Sequence, residues 1–309
     1  MKIYIALDGG TTNTRLTLIK NGAVTDTVKL AIGARSAIDD RAPLKRGIRE
    51  GISELLTRNS LSEGDVTKIL ASGMITSEFG LYKLDHISAP AGIKELHAGM
   101  KEVSLPDISS IPFVFISGVK TVTTTRADMM RGEETELMGI ASPEDGRCVY
   151  VLPGSHSKLI ITDENGRIAD FYTMLTGEML AALSQNTILK DAVDLYGGKT
   201  DADHLLLGYR YCNENGINEA LFQTRIQKNL FGADRDQAYS FFSGVVLCSE
   251  INRIIALGAK KAVIGGKAQI AEQIALLLSA LSDCEVVRLS EEAVAASTSN
   301  GAVRIYEYC

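Results

Sequence analysis

One pattern occurs twice in this chain and restricts its fold more than any other feature. An apolar run, Ile3 to Leu7, ends at Asp8 and the turn Gly9-Gly10-Thr11-Thr12-Asn13, and a second run rich in branched residues follows from Arg15 to Ile19. Asn21-Gly22 is a strong hairpin signal, and Val24 to Leu30 reads as a third strand. The order returns as Cys148 to Leu152, the turn Pro153-Gly154-Ser155-His156-Ser157, Lys158 to Ile161, Asn165-Gly166 and a third run from Ile168. Gly10 recurs at Gly154 and Asn21 at Asn165, an offset of 144 in both cases. A gapless match over a whole meander predicts two copies of one α/β unit, each offering a glycine turn toward a shared cleft. The alternative is two unrelated hairpins that share a common turn dipeptide. At 309 residues the chain is long enough for two domains with separate cores.

The first turn joins strand to strand, whereas Walker and Rossmann glycine loops run from a strand into a helix. Its two glycines let backbone N–H groups converge on an anion, Thr11, Thr12 and Asn13 add donors, and Asp8 offers a carboxylate for a cation. This predicts a phosphate site with magnesium; an ordinary glycine-rich hairpin is the competing reading. Two such turns facing each other would clamp a polyphosphate.

Between the repeats, Leu44, Ile48, Ile52 and Leu55 fall at helical spacing and predict a helix over Ala42 to Arg58, with Pro43 suited to its start. Thr67 to Ala71 reads as a strand running into the loop Ser72-Gly73-Met74-Ile75-Thr76, and Ile111 to Ser117 as a further buried strand. After the second meander, helices are expected from Thr176, with Thr176 as N-cap, and over Asp203 to Tyr211, Ile217 to Leu230 and Gln237 to Leu257. Lys261 to Ile264 is a strand that meets Gly265-Gly266 before a helix over Ala268 to Leu281. Glycines between strand and helix let backbone approach a flat or charged ligand, or simply make a crossover turn. Glu285 to Leu289 is a last strand, and Ser290 to Tyr306 a closing helix.

A net charge of −6, with an isoelectric point near 5.4, argues against a nucleic-acid binder. No apolar run approaches the roughly 20 residues that span a bilayer, and the chain opens directly on a strand, so a cytoplasmic protein without membrane partners is expected. Cys148, Cys212, Cys248, Cys284 and Cys309 are scattered, with no paired spacing for a cluster or structural zinc.

The D-x-G-T-T meander, its echo and the late strand-Gly-Gly-helix resemble, in this order, the phosphate 1, phosphate 2 and adenosine elements of the actin-like ATPase superfamily. The resemblance implies an α/β protein of two RNase H-like domains of the hexokinase/actin type, with ATP in the cleft between them. The domains would span 1–140 and 141–309, with the helix at 290–309 packing back near the first. Within the superfamily the chain resembles the 2-keto-3-deoxygalactonate kinases (2-dehydro-3-deoxygalactonokinases). That resemblance is carried by Asp8 to Arg15, by Met130-Arg131-Gly132-Glu133-Glu134-Thr135-Glu136, by Leu152 to Lys158 and by Met174 to Glu178. Two positions depart from expectation. Gly9 stands where the family usually has tryptophan, and Leu152 where many superfamily members carry a second acid.

Phosphoryl transfer to a sugar-acid hydroxyl needs positioning, charge neutralisation and a base at the attacking oxygen. As the resemblance implies, Asp8 anchors Mg2+, and Gly10, Thr11, Thr12 and Asn13 face Gly154, Ser155, His156 and Ser157 across the ATP phosphates. Gly265 and Gly266 form the adenosine motif. Lys158 and Arg15 add positive charge or are strand charges facing solvent. Glu133, at a helix N-terminus, is favoured over Glu134 as the base; solvated helix-end glutamates are the alternative. Arg131 would pair with the substrate carboxylate or lie at the surface, Gly73 lies in a substrate loop, and Glu178 binds substrate hydroxyls or stabilises its own helix. His156 is read as a turn residue rather than a base.

The expected activity is ATP-dependent phosphorylation of the 6-hydroxyl of 2-dehydro-3-deoxy-D-galactonate. A kinase of an amino or anhydro sugar on the same scaffold is the alternative enzyme, and a nucleotide-binding regulator the alternative class. The oligomeric state stays open, a homodimer among the alternatives.

Overall fold

The computed structural model describes residues 2–142, 145–194, 198–266 and 268–308. The chain forms two compact units. The first comprises Met1–Gly146, Asp163–Asp170 and Glu292–Cys309; the second comprises Arg147–Thr162 and Phe171–Glu291. Against the expected bounds of 1–140 and 141–309, the hairpin tip gathers with the first unit, and so does the C-terminal helix, the segment expected to pack back near it. The tip is tied there by a bridge between Ala91 and Ile168 and by Arg126, which donates to Asp170 at 2.6 Å.

In chain order the first unit contains β1 (Ile3–Gly9), β2 (Thr14–Lys20), β3 (Ala23–Leu30), α1 (Ala42–Arg58), β4 (Lys68–Gly73), β5 (Ile87–Ser88), α2 (Ile93–Ala98), β6 (Lys101–Val103), β7 (Phe113–Phe115), β8 (Val119–Val122), β9 (Ala127–Met130) and α3 (Glu133–Ile140). Then come β10 (Val149–Leu152), β11 (Ser157–Thr162), β12 (Ile168–Met174), α4 (Thr176–Asn186), α5 (Ala202–Asn215), α6 (Ile217–Asn229), α7 (Arg235–Ala256), β13 (Lys261–Ile264), α8 (Ala268–Leu281), β14 (Glu285–Arg288) and α9 (Glu291–Tyr306).

The repeat is real in three dimensions. The first sheet runs β3-β2-β1-β4-β7-β6, with β1 antiparallel to β2 and parallel to β4. The second runs β12-β11-β10-β13-β14, with β10 antiparallel to β11 and parallel to β13. Both therefore place a meander on one side of their first strand and parallel strands on the other. The two hairpin turns differ despite their shared dipeptide. Asn21 and Gly22 both have positive φ (50° and 81°), the mark of a type I′ turn, whereas in the second only Gly166 does (71°). There the Asp163 carboxylate accepts the N–H groups of Asn165 and Arg167 and shapes the loop itself.

Helix α1 forms over the predicted residues because Leu44, Ile48, Ile52 and Leu55 make one apolar stripe, and all four are buried against Ile5, Leu7 and Leu16 of the sheet. Burying each contributes about 1.5–3 kcal/mol. Helix α7 is buried nearly all round because α5 runs alongside it at backbone contact. A Cβ at Gly208 would lie 2.0 Å from the Phe241 carbonyl oxygen, and one at Gly244 equally close to that of Leu205. Strands β5, β6, β8 and β9 escape sequence reading because two to four residues are too few to show a period.

Candidate active site

In the first unit the turn after β1 is held by its carbonyls. Gly10 O accepts the Ala34 N–H at 3.0 Å and Thr11 O the Arg35 N–H at 2.8 Å, while the Gly10 N–H closes the turn on Asn13 O at 2.8 Å. In a trans peptide C=O and N–H point opposite ways, so carbonyls drawn inward aim the Thr11 and Thr12 N–H groups outward. The side chains of Thr11, Thr12 and Asn13 are exposed beside them, and Asn13 Nδ2 donates to Thr12 Oγ1 at 3.0 Å. An anion would meet backbone and side-chain donors here together.

Asp8 stands at the end of β1, in register with Arg15 on β2 and Ser72 on β4. Three glycines then crowd its neighbourhood without side chains. A Cβ at Gly73 (φ +80°) would lie 2.6 Å from Gly9 O and 3.3 Å from Asp8 Oδ1, and a Cβ at Gly132 (φ +118°) 3.2 Å from the Gly73 Cα. This close approach brings the start of α3 to the end of β1. Gly9 has its own constraint, because a Cβ there would lie 2.7 Å from Ile75 Cβ. The place where the resemblance expects tryptophan is thus filled from β4's side by Ile75.

Two further carboxylates, those of Glu133 and Glu136, and the Arg15 guanidinium meet around Asp8. Burial raises the Asp8 pKa, the charge of Arg15 lowers it and that of Glu133 raises it again. Glu136 is pushed up to about 7, first by burial, then by Glu133 and Asp8, with Arg15 and a hydrogen bond from Ser297 acting the other way. Glu133 and Glu136 are one helical turn apart and share a face of α3. Glu136 closes the motif that begins at Met130, and its three-residue spacing from Glu133 is the sequence signal for its place here. Among the described residues no group of three or more His, Cys, Asp or Glu is arranged to hold a metal ion. A single desolvated carboxylate suits Mg2+, which binds through one or two carboxylates and keeps several waters.

The two glutamates proposed as base have different settings. Glu134 is fully buried, and both its oxygens accept the Gly132 N–H, at 2.9 and 2.8 Å. Burial pushes its pKa up to about 8, with the charge of Glu133 adding to the rise. Glu133 is only half-buried, and its Oε2 accepts the Arg131 N–H at 3.1 Å. The Arg131 guanidinium does not stand open at the surface: it donates to Thr76 O (2.8 Å), Thr76 Oγ1 (2.6 Å), Leu84 O (3.0 Å) and His86 Nδ1 (3.2 Å). His86 Nδ1 is the acceptor because a guanidinium can only donate, and burial and the Arg131 charge push the His86 pKa down to about 4. A bidentate grip on a substrate carboxylate would require Arg131 to give up this lock on residues 76–86.

In the second unit the turn Pro153 to His156 is bracketed by two glycines. A Cβ at Gly177 would lie 2.2 Å from Gly154 O, and one at Gly266 (φ +78°) 2.5 Å from Pro153 O. The Gly265 N–H donates to Val151 O at 2.9 Å, so the strand-Gly-Gly-helix element lies directly against the turn. Ser155 O accepts the Glu178 N–H at 3.1 Å, which turns the His156 N–H outward by the same peptide geometry. His156 Nε2 pairs with Glu178 Oε1 at 3.1 Å, and both side chains are exposed.

Ser157 and Lys158, expected at the phosphates, are buried instead, because β11 is covered on both faces. Ser157 Oγ donates to Glu250 Oε1 at 2.5 Å, and Lys158 Nζ to Thr173 Oγ1 at 2.7 Å. Thr176 is not the N-cap either; Leu175 holds that position, and the Thr176 hydroxyl donates to Glu250 Oε2.

A repeated meander-plus-parallel sheet, with a glycine turn in each copy, is the α/β architecture of the actin-like ATPase type. The comparisons agree. The activator of the 2-hydroxyisocaproyl-CoA dehydratase from Clostridium difficile, solved with bound ADPNP, superposes with a TM-score of 0.51 at 14% identity, covering 98% of this chain and 93% of that one, which shows the fold alone. A crystal structure of a protein from Sinorhizobium meliloti assigned as a 2-dehydro-3-deoxygalactonokinase gives a TM-score of 0.81 at 25% identity, covering 98% of this chain and 99% of that one. The family model for 2-keto-3-deoxy-galactonokinase matches residues 8–301, and the chain belongs to that family. A curated relative from Rhizobium meliloti (strain 1021), named Probable 2-dehydro-3-deoxygalactonokinase DgoK1, is 28% identical over 258 residues, 82% of this chain and 80% of the relative.

Proposed function

We propose that this chain transfers the γ-phosphoryl group of ATP to the 6-hydroxyl of 2-dehydro-3-deoxy-D-galactonate, giving the 6-phosphate and ADP. The observation that supports this most is the juxtaposition of Asp8, Glu133 and Arg15 in a chain whose family match begins at Asp8 itself. In this reading the outward N–H groups at Thr11 and Thr12 of the first unit are phosphate donors, and so is the turn Gly154 to His156 of the second. Mg2+, anchored at Asp8 through water, would offset charge on the β- and γ-phosphates. The Asp8 carboxylate fits the ion because burial leaves its charge costly and Arg15 relieves it only in part.

Glu133 takes the proton of the attacking hydroxyl as that oxygen bonds to the γ-phosphorus; the bond from phosphorus to the β–γ bridging oxygen breaks, and ADP leaves with its electron pair. The Arg15 charge opposes the rise that burial imposes on the Asp8 pKa and so favours the carboxylate form that would hold the ion. Arg131 acts on the substrate through the loop it locks at Thr76 and Leu84, and Gly73 keeps that loop close to Asp8. Gly265 and Gly266 serve the nucleotide, and Glu178 a substrate or phosphate contact shared with His156. Among the described residues no helix is long and apolar enough to cross a membrane; we take the enzyme to act in the cytoplasm, where its ATP is.

An acceptor panel in a coupled assay of ADP release tests the reading. Turnover should be fastest with 2-dehydro-3-deoxygalactonate, ahead of its C4 epimer, amino sugars and anhydro sugars. No ADP release with this acid while another sugar supports turnover would reject it.

A further inference from the structure

We infer that Glu250, a residue of α7 outside the site described above, is a positioning residue for the second phosphate turn. The inference rests on the reading that Gly154 to His156 binds the ATP phosphates. Glu250 is fully buried, and among the described residues its partners are two hydroxyls: Ser157 Oγ donates to Oε1 at 2.5 Å and Thr176 Oγ1 donates to Oε2. Ser157 begins β11, directly after the turn, and Thr176 begins α4, against which the turn packs. One carboxylate thus ties together the two stems that hold the turn.

The packing makes that tie consequential. Gly177, next to Thr176, lies so close to Gly154 that a Cβ would come within 2.2 Å of the Gly154 oxygen, and the Glu178 N–H holds Ser155 O at 3.1 Å. If Thr176 moves, both contacts move, and with them the peptide planes whose N–H groups face outward. A buried carboxylate is an expensive way to fill space, and an apolar side chain of similar volume would cost less. Glu250 offers what an apolar side chain cannot, two acceptors on a rigid fork that hold two hydroxyls at a fixed separation. Positioning within about 0.5 Å is the usual requirement of a working site.

Steady-state kinetics with ATP and sugar acid varied separately tests the assignment, with thermal melting run beside it. Glu250→Ala should raise KM for ATP by about tenfold or more while KM for the sugar acid stays within about twofold. Glu250→Gln keeps one acceptor and adds an N–H that a rotated hydroxyl can accept, so it should restore KM for ATP to within about threefold of wild type. Should Glu250→Ala not fold, the Ser157→Ala, Thr176→Val pair reads the same quantity. An equal rise of both KM values, or a Glu250→Gln enzyme as impaired as Glu250→Ala, overturns the assignment. Gly177→Ala, which pushes on the turn directly, separates the two levels. If it raises KM for ATP and loss of the Glu250 bridge does not, only the role of Glu250 falls; if neither does, the phosphate-turn reading falls as well.

Discussion

Glu134 and Gly132 are joined twice, both oxygens of the buried carboxylate accepting the same Gly132 N–H, while the neighbouring Glu133 points its half-buried carboxylate back to the Arg131 N–H. The pair fixes how α3 begins and which glutamate is accessible. Glu133→Gln is expected to lower kcat by about 100-fold or more, the usual contribution of a general base. Glu134→Gln should keep kcat within about threefold of wild type and Glu134→Ala should cost about 1–3 kcal/mol of stability, the penalty for a buried donor left unmet. Steady-state rates and urea melts check both; the reverse order of kcat losses would move the base to Glu134.

The buried acids give stability a definite dependence on pH. Burial pushes Glu134 up to about 8 and Glu136 up to about 7 in the folded protein, both above the ordinary glutamate value of 4.5. The folded state then binds more protons than the unfolded state between these values, so ∂ΔG/∂pH is negative there. Their contribution is complete below about pH 4.5 and is lost as pH rises toward 8. Denaturation midpoints should fall from about pH 5 to about pH 8, and Glu134→Gln should flatten the decline. A wild-type midpoint that rises across this range would contradict the raised pKa values of Glu134 and Glu136.

Gly9 is locked by Ile75. Gly9→Trp is expected to destabilise the chain by about 3 kcal/mol or more, since overpacking at 2.7 Å forces backbone to move. Gly9→Trp combined with Ile75→Gly should recover part of that loss, because the shortest contact is with the Ile75 Cβ, while the Ile75 backbone N at 3.1 Å stays. Equal melting temperatures for the single and double variants would show that Ile75 is not what excludes the ring.

Arg131 holds residues 76–86 through four donated hydrogen bonds. Lysine keeps the charge without the planar fork. Arg131→Lys should therefore raise KM for the sugar acid by about tenfold while KM for ATP changes by less than about twofold. An Arg131→Lys enzyme with normal KM for the acid would mean that the lock does not shape the acceptor site.

Long periodic elements were legible. Helices α1 and α8 occupy the predicted residues, Ala42–Arg58 and Ala268–Leu281, because their apolar stripes repeat over several turns. The meander and its echo were equally plain. What stayed hidden were contacts between elements distant in sequence. Ser157, Lys158 and Thr176 read as ligand-facing or capping groups, yet Glu250 and Thr173 draw them inward. Nothing in the local sequence around β11 announces a partner 93 residues away.

The sequence by itself determined where the chain turns and how often: alternation and glycine placement set the two meanders, and the 144-residue offset set their kinship. It also placed Glu133 and Glu136 on one face of a helix and Glu134 on another, since a 3.6-residue period allows no other arrangement. Only the tertiary structure decided which face meets Asp8. Helix α9 crosses α3 at Gly139 and Gly301, where a Cβ would come within 1.8 Å of the Ser297 or Thr135 oxygen. That close crossing fixes the rotation of α3, and so turns Glu133 and Glu136 toward Asp8 and Arg15 while Glu134 is buried.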